Sequence, residues 1–350
     1  MTKTTIMKRI VALFKKTHEK KEEQPPYPPE LESTYKITKK TLGVGSFAVV
    51  KECIHRSTHQ PFALKIILKK AIAGKEHMLS SELDILKQVR HPHIVSMHNL
   101  YESKDAVYIV TDLAGGGELF QQLLKKGSYT EKDASNLTRQ MLEGLQYLHE
   151  RDIVHRDMKP ENLLFQTVGD DATLMITDFG LSKILKAQDD ILTTACGTPG
   201  YVAPEVLLQT GHNKPVDLWS FTLLSGYTPF WGEDQTSLFE SIMSGQYEYD
   251  DEYWSDISNS AKNLIDRLLT FDPNERITAE EALLHPWIKG SKEAGPRSST
   301  NLAPAIRKGY SSRGSLNAIA LLNQQYKTSE ESSEEEFRKS AEVKDLEVLN

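Results

Sequence analysis

Cysteine is scarce in this sequence, which limits how the fold is stabilised. Cys53 and Cys196 are the only cysteines among 350 residues, so a disulfide framework is excluded and a reducing, intracellular setting is expected. No stretch approaches the roughly 18 uninterrupted apolar residues of a membrane-spanning helix. Positive charge is not in surplus, because the formal net charge is −7, which argues against general nucleic-acid binding. The remaining composition is that of a globular protein.

Charge is concentrated at the two ends of the chain. Residues 1–20 carry six Lys/Arg against one Glu, and residues 327–350 carry eight Asp/Glu against four Lys/Arg. The first segment has the spacing of a basic amphipathic helix that would contact an anionic membrane or a partner groove. A disordered cationic arm and a mitochondrial presequence are the alternatives. The last segment is polar and acidic enough to be disordered.

Hydrophobic periodicity changes along the middle of the chain. After an extended Pro-rich linker at residues 24–29, strand-like alternation covers residues 35–53, 61–68 and 107–111, with helical spacing at residues 80–89. Helical patterns then dominate, at residues 134–150, 261–269 and 279–284. A strand-rich part followed by a helix-rich part predicts an α+β fold with two lobes.

A glycine-rich stretch lies between two of the strand patterns. Gly43 and Gly45 would let the backbone approach phosphates, although the third glycine position holds Ala48 and a hairpin without ligand is the alternative. Lys65 follows on the next apolar strand and needs an anionic partner, for which Glu82 is a candidate.

Three further motifs carry specific chemistry. They are His155-Arg156-Asp157-Met158-Lys159-Pro160-Glu161-Asn162, then Asp178-Phe179-Gly180, then Ala203-Pro204-Glu205. Their order and spacing are those of a kinase catalytic loop, a metal-binding triplet and the end of an activation segment. The sequence therefore resembles the eukaryotic protein Ser/Thr kinases. Residues 115–120, 195–205, 226–230 and 285–288 are similar to the calcium/calmodulin-dependent kinases, particularly type I.

The resemblance implies a bilobal protein-kinase fold and an ATP site. The residues that would surround the nucleotide are Leu42, Gly43, Val44, Gly45, Ser46, Phe47, Ala48, Val49, Val50, Ala63, Lys65, Asp112, Ala114 and Leu164. Lys65 would hold the α- and β-phosphates and pair with Glu82. Leu113 would complete the adenine slot, with Thr111 as gatekeeper.

The resemblance also assigns catalytic and regulatory roles. Asp157 would be the catalytic base, Lys159 would steady the transferred phosphoryl group, and Asn162 and Asp178 would bind Mg²⁺. Other roles by resemblance are substrate recognition by Glu118 and Glu161, an ion pair of Glu205 with Arg276, and a small packed Cys196. The resemblance also implies phosphorylation at Thr194 facing Arg156. Thr198 is the alternative site, although its hydroxyl usually serves the catalytic loop in the family, and an unmodified exposed loop hydroxyl is the other alternative for Thr194. A substrate with Arg three residues before Ser/Thr is expected.

The resemblance places a regulatory segment after the catalytic domain. By resemblance, calmodulin would contact Ile306, Arg307, Lys308, Tyr310 and Ile319. Ser315 stands where the family has a bulky aromatic residue, and Gly309 and Gly314 weaken a helix. A linker helix that blocks the cleft without binding calmodulin is the alternative.

The expected organisation has four parts. Residues 1–34 form the arm and linker, 35–288 the kinase domain (35–114 and 115–288 as its lobes), 289–326 the autoinhibitory and calmodulin-binding segment, and 327–350 the acidic tail. One departure from the family follows Ser220, where about five residues of the central large-lobe helix are missing before Leu223. The alternative to an active kinase is therefore a catalytically impaired kinase-like binding module.

These observations predict a calcium/calmodulin-regulated protein Ser/Thr kinase that uses ATP and Mg²⁺. The expected partners are protein substrates, calcium-loaded calmodulin and an upstream activating kinase. The expected location is cytoplasmic, with a nuclear or peripheral membrane pool left open.

Overall fold

The structure is a computed structural model that describes most of the region between Tyr27 and Arg307. The described residues are 27–45, 48–74, 76–169, 171–185, 191–193, 196–220, 230–290, 299–304 and 306–307. The chain divides into two units: the first runs to Gly74 and takes in His98–Thr111, and the second holds Lys75–Met97 and everything from Asp112. Antiparallel sheets and helices together confirm the α+β class. Every helix among the described residues is too short or too polar to cross a membrane.

A five-stranded sheet in the order β1-β2-β3-β5-β4 organises the first unit. The elements are α1 (Pro29–Thr34), β1 (Tyr35–Val44), β2 (Ala48–His55), β3 (Pro61–Leu68), β4 (Met97–Glu102) and β5 (Ala106–Asp112), with a 3₁₀ turn at Lys69–Ile72. The strand β4 lies at the edge of the sheet, and its alternating burial is the pattern of a strand with one solvated face. Sequence reasoning missed this strand.

A small apolar core fixes the start of the first unit. Pro29 begins α1 rather than continuing an extended linker, and Leu31 is buried together with Tyr35, Cys53 and Tyr108. The Tyr27 and Tyr108 rings meet edge to face at 6.0 Å. The residues just before Tyr35 therefore pack on the sheet, because burying Leu31 and two aromatic rings removes apolar surface from water.

The second unit is mainly helical. Its helices are α2 (Glu76–Gln88), α3 (Leu119–Lys125), α4 (Glu131–His149), α5 (Pro204–Leu207), α6 (Pro215–Trp219), α7 (Gln235–Ser244), α8 (Asp251–Trp254), α9 (Asn259–Leu268), α10 (Ala279–Leu284) and α11 (Pro286–Lys289). Its short strands are β6 (Gly117–Glu118), β7 (Ile153–Val154), β8 (Leu163–Phe165), β9 (Leu174–Ile176) and β10 (Lys183–Ile184), with 3₁₀ turns at Pro160–Asn162 and Pro199–Tyr201.

The long helix α4 forms where sequence reasoning expects it and carries a strong start signal. Thr130 and Asp133 form a reciprocal capping box, which satisfies two backbone N–H groups that a helix otherwise leaves unpaired. Its apolar residues recur on one face and are buried, among them Met141, Leu145 and Leu148. Helix α4 therefore forms a rigid support for the loop that follows it.

The predicted break in the central helix lies at the edge of the described chain. The structure describes α6 and Ser220 and resumes at Phe230, so residues 221–229, where about five residues are expected to be missing, lie outside the described residues. On either side, Trp219 stacks on Phe230 with ring centroids 5.3 Å apart, and both rings are buried. They belong to one apolar cluster with Leu238, Ile242 and Trp254.

Candidate active site

A tight pair of short strands positions the two predicted metal ligands. Strands β8 and β9 are antiparallel, with Leu163 opposite Ile176, so the residues at Asn162 and after Ile176 fall at the same end of the pair. Both the backbone N–H and the hydroxyl of Thr177 donate to the Asn162 carbonyl, at 2.9 and 3.2 Å. Asn162 is thereby held against Thr177, the residue directly before Asp178.

The Asp157 carboxylate is the centre of a buried polar cluster. Lys159 Nζ lies 2.7 Å from its Oδ2, and Asn162 Nδ2 donates to the same oxygen at 3.1 Å. The Thr198 hydroxyl donates to Oδ1 at 2.8 Å and accepts from Lys159 Nζ at 3.1 Å. Every donor that holds this carboxylate is oriented by a second hydrogen bond or ion pair, so the carboxylate is held in one orientation.

A second carboxylate, fully buried, fixes the backbone that carries Asp157. Asp217 on α6 accepts from the backbone N–H of His155 at 2.9 Å and of Arg156 at 2.7 Å, and His149 Nε2 lies 2.9 Å from its Oδ2. Arg156 adopts a left-handed φ of 67°, a conformation that costs energy for a residue with a side chain. The three bonds to Asp217 hold the loop in that conformation.

Asp217 also ties the stability of the second unit to pH. Burial disfavours its charge, but the hydrogen bonds and charges of His149 and His155 outweigh burial, so its pKa lies below the ordinary value of 3.8. The stability that the ionised Asp217 carboxylate contributes is therefore fully present above its ordinary pKa of 3.8. It is lost as the pH falls through the lower pKa of the folded state. We expect Asp217→Asn to cost about 2 kcal/mol at pH 7, measured by urea unfolding.

The difference in the free energy of unfolding between the wild type and Asp217→Asn should stay constant down to about pH 4.5 and become smaller below it. Asp256→Asn, which alters an exposed carboxylate of the same unit, serves as the control and should leave the urea midpoint unchanged. A gap that persists undiminished at pH 3 would contradict this account of Asp217.

The Asp178-Phe179-Gly180 turn combines an exposed carboxylate with a buried ring. Asp178 has a φ of 62° and is solvent exposed, whereas Phe179 is buried and packs edge-on against His155 at 5.3 Å. Phe179 thus anchors the turn that presents Asp178. Within the described ranges, no group of three or more His, Cys, Asp or Glu forms a metal cage. The exposed Asp178 carboxylate and the buried Asn162 side chain are two oxygen donors, a set that fits a hard cation which takes its remaining ligands from water and phosphate.

Two acidic side chains form a patch beside the catalytic loop. Glu161 follows Asp157 in the loop, and Glu118 lies on β6, which pairs with β8 through Leu164. Partial desolvation is the largest cause that raises the pKa of Glu161, and the nearby negative charges of Asp157 and Glu118 add to it. An arriving cation would offset that repulsion, so the patch is suited to a basic side chain.

The activation-segment residues are described in part. Thr194 lies outside the described residues. Arg156 Nε donates to the Leu181 carbonyl at 2.6 Å, and Cys196 is half-buried nearby. The predicted Glu205–Arg276 pair is present and bidentate, with N–O distances of 2.7 and 3.0 Å.

The predicted nucleotide residues of the first unit lie on a hairpin and on β3. Val44 pairs with Val49, and Gly45 N–H donates to the Ala48 carbonyl at 2.8 Å, while Ser46 and Phe47 at the tip lie outside the described residues. A Cβ added at Gly43 would meet nothing within 4 Å. Glycine at this position is therefore not required by packing within the chain, which fits a surface that a phosphate approaches.

The remaining predicted nucleotide residues are placed by the two units separately. Lys65 pairs with Val50 on the sheet of the first unit. In the second unit, Asp112 accepts from the Ser96 N–H at 2.8 Å and Glu82 is buried on α2. The pairing of Lys65 with Glu82 stays a prediction.

The beginning of the predicted regulatory segment is docked on the second unit. Asn301 accepts from the Tyr129 N–H and donates to the Gly127 carbonyl, both at 2.9 Å. Ile306 is buried, and Arg307 Nε donates to the Leu124 carbonyl at 3.0 Å. The predicted calmodulin contacts from Lys308 onward lie outside the described residues.

Sequence reasoning missed two contributors to this arrangement. His149 reaches Asp217 across 68 positions of the chain, and Asn301 reaches Gly127 across 174. The local sequence around His149 or Asn301 does not predict a contact with so distant a residue. Motif spacing finds residues that act within one loop, whereas these contacts depend on the tertiary fold.

Comparison with known proteins identifies the family of this chain. The sequence model of the protein kinase domain matches residues 36–288. A calcium/calmodulin-dependent protein kinase type 1 of Macrobrachium nipponense is 43% identical over 305 residues, covering 85% of this chain and 88% of the relative.

Two further relatives are similar to this chain to a comparable degree. The Caenorhabditis elegans type 1 enzyme is 44% identical over 292 residues (81% of this chain, 83% of the relative). The calcium/calmodulin-dependent protein kinase cmkA of Emericella nidulans is 47% identical over 283 residues (79% and 67%). The resemblance and the bilobal kinase fold predicted from the motifs are confirmed: the chain belongs to the protein kinase family and, within it, to the calcium/calmodulin-dependent protein kinases.

Proposed function

We propose that this chain is a calcium/calmodulin-regulated protein Ser/Thr kinase in which Asp157 is the catalytic base. Its family membership makes it an ATP-dependent protein kinase that works with a divalent metal ion. The observation that carries the residue assignment is the cluster in which Lys159, Asn162 and Thr198 all contact the Asp157 carboxylate.

The chemistry follows from what these side chains can do. Asp157 accepts the proton of the substrate hydroxyl as the hydroxyl oxygen attacks the γ-phosphorus of ATP, the bond from that phosphorus to the bridging oxygen of the β-phosphate breaks, and ADP leaves. Lys159 places positive charge beside the transferred group. Asn162 donates through Nδ2 to Asp157, which leaves Oδ1 as the atom it would offer to Mg²⁺ beside Asp178. A bound Mg²⁺ supplies charge neutralisation to the phosphate oxygens.

Nucleotide binding is assigned by the same motifs. Lys65 would hold the α- and β-phosphates, and the Gly43–Gly45 backbone would cover them. The adenine slot would be formed by Ala63, Leu113 and Leu164, with hinge contacts from Asp112 and Ala114. Glu82 would orient Lys65.

Turnover with an Arg-x-x-Ser peptide tests the proposal directly. The purified chain is incubated with ³²P-labelled ATP, MgCl₂ and the peptide, with and without calcium-loaded calmodulin. Calcium-dependent phosphate incorporation is expected. A cooperative thermal transition that ATP and Mg²⁺ raise, without any turnover, would instead identify the binding module suggested by the residues missing after Ser220.

Glu161 is expected to select the basic residue of the substrate. Glu161→Gln should raise the KM of the Arg-x-x-Ser peptide about ten-fold and leave kcat nearly unchanged, because a charge-assisted bond is lost in ground and transition state alike. In the wild type, the same KM should rise as pH falls towards the raised pKa of Glu161, since only the ionised carboxylate attracts Arg. Steady-state kinetics between pH 8 and 5.5 measure both effects.

The controls separate recognition from a general loss of activity. Glu150→Gln, at an exposed position, should leave the KM of the Arg-x-x-Ser peptide unchanged. A peptide with Ala in place of Arg should show the same KM for wild type and Glu161→Gln. If Glu161→Gln raises the KM of the two peptides equally, Glu161 does not recognise the arginine.

We also propose that residues 289–326 inhibit the kinase and bind calmodulin. The support is that Ile306 is buried and Arg307 is bonded to the second unit, while both belong to the predicted calmodulin contacts. Calmodulin could take Ile306 only after this segment leaves its docked position. Docking and calmodulin binding would therefore compete for the same side chains.

Loosening the docked segment should sensitise the kinase to calmodulin. Asn301→Ala removes two hydrogen bonds to Gly127 and Tyr129 without altering a predicted calmodulin contact. We expect the half-activating calmodulin concentration to fall about five- to ten-fold, because a larger fraction of the chain is binding-competent. Peptide phosphorylation titrated with calmodulin at saturating calcium measures it. Asn259→Ala, at an exposed position on α9, is the control. An unchanged half-activating calmodulin concentration in Asn301→Ala would contradict the competition.

Thr194 is the proposed site for an upstream kinase, with Arg156 as its phosphate partner. The support is that Arg156 lies in the catalytic loop and lines one pocket with Cys196, two positions after Thr194. We also propose a cytoplasmic location and protein substrates of the Arg-x-x-Ser/Thr type.

A further inference from the structure

A groove on the second unit has no role in the proposed reaction. It has a volume of about 460 Å³ and lies between α3, the start of α4 and the turn after β8. Its apolar lining includes Leu123, Tyr129 and Phe165, all buried, and Val168 stands 79% exposed at its rim. A groove of this volume, lined by both apolar and polar side chains, accepts a large side chain.

The rim of the groove is mainly cationic. Lys125, Lys126 and Arg139 line it, and Lys125 and Arg139 are solvent exposed. Of the two lining carboxylates, Asp133 already accepts from the N–H and hydroxyl of Thr130 as part of the helix cap. Asp171 is the other. The groove therefore favours a ligand that carries negative charge.

The chain itself leads to this groove. Arg307 is the last described residue, and its guanidinium donates to the carbonyls of Leu124 and Lys126, next to the lining residues. It adds a further cation at the edge. Ser329 follows Arg307 by 22 positions, and a chain of that length reaches up to roughly 70 Å, so the acidic tail is within reach of the groove.

We propose that the acidic segment Ser329–Phe337 of this chain binds the groove between α3 and α4. The segment carries five Glu in its first eight residues and ends on Phe337. Its carboxylates complement Lys125, Lys126 and Arg139, and Phe337 packs against the apolar lining residues. Because the segment is tethered, its effective concentration reaches the millimolar range, so weak contacts suffice.

Docking at both ends would restrain the segment between them. Residues 306–319 would then be held on the second unit by Ile306 and Arg307 on one side and by the acidic segment on the other. This consequence rests on the proposed calmodulin binding, whereas the docking itself does not depend on the kinase activity.

Site-specific photo-cross-linking in the full chain tests the docking. A benzoylphenylalanine replaces the exposed Val168, and the cross-linked peptides are mapped by mass spectrometry. Cross-links to residues 327–350 are expected, formed within one molecule when ¹⁴N- and ¹⁵N-labelled chains are mixed. The same probe at exposed Leu284 on α10 should not reach the tail.

Charge and the aromatic anchor are tested in the same assay. Lys125→Glu with Arg139→Glu, and separately Phe337→Ala, should each lower the yield about five-fold, and so should raising NaCl from about 50 to about 500 mM. Lys87→Glu with Lys289→Glu, at exposed sites elsewhere on the second unit, should not. Cross-links to residues 1–26, cross-links between two chains, or a yield indifferent to all these changes would overturn the proposal.

Discussion

We expect Asp157→Asn to lower kcat for an Arg-x-x-Ser peptide about 10³-fold, since a positioned base contributes two to four orders of magnitude. An amide keeps the shape and can still accept from the Thr198 hydroxyl, but it cannot take up the proton of the substrate. The KM for ATP should change little. Phosphate incorporation under saturating ATP, beside a thermal melt of each protein, measures the effect.

The matched control is another carboxylate in the same loop region. Asp152 has a left-handed φ of 57° and pairs with Lys214 at 2.6 Å, away from the Asp157 cluster. Asn tolerates that backbone conformation, so Asp152→Asn should keep kcat within about two-fold. If Asp157→Asn retains wild-type turnover, or if Asp152→Asn is equally inactive, the assignment of the base is wrong.

Breaking the buried ion pair should produce the largest loss of stability. The Arg276 side chain is fully buried, and besides Glu205 it donates to the carbonyls of Thr270, Pro215 and Phe271. Arg276→Met leaves the Glu205 charge buried without its partner. We expect a loss of about 3–5 kcal/mol, measured by urea unfolding at pH 7 with the methionine variant beside the wild type.

Two further variants separate desolvation from simple loss of contacts. Arg276→Met combined with Glu205→Leu should recover part of the stability, because no unpaired charge remains buried. Lys214→Met breaks the partly exposed pair with Asp152 in the same unit and should cost less than about 1 kcal/mol. Equal costs for Arg276→Met and Lys214→Met would show that burial of the pair is not what matters.

The proposed catalytic residues can be identified from the sequence as candidates because they lie close together along the chain. Asp157, Lys159 and Asn162 fall within six positions, and their motif spacing alone indicates the chemistry. Helix α4 was likewise predicted to within three residues, since its apolar face repeats with helical spacing. Strand β4 was missed because an edge strand of six residues with polar alternation carries a weak pattern.

The supports of the site were less accessible to sequence reasoning. The resemblance implied that the Thr198 hydroxyl serves the catalytic loop, 41 positions from Asp157, but nothing in the sequence indicated that Trp287 donates to Glu131 across 156 positions. Such pairs depend on how the helices pack, which no local pattern specifies. The docking of Asn301 on the backbone near Tyr129 has the same cause, because it uses backbone groups that any residue offers.

The brace by Asp217 has a consequence for how the enzyme comes into being. The His155 backbone N–H donates to a carboxylate that lies 62 positions later in the chain, and Glu205 pairs with Arg276, 71 positions after it. At about 5–20 residues per second, a ribosome needs several seconds to deliver each partner. The catalytic motif is therefore synthesised several seconds before the residues that fix its conformation. We expect the nascent chain to be inactive until those residues have been added.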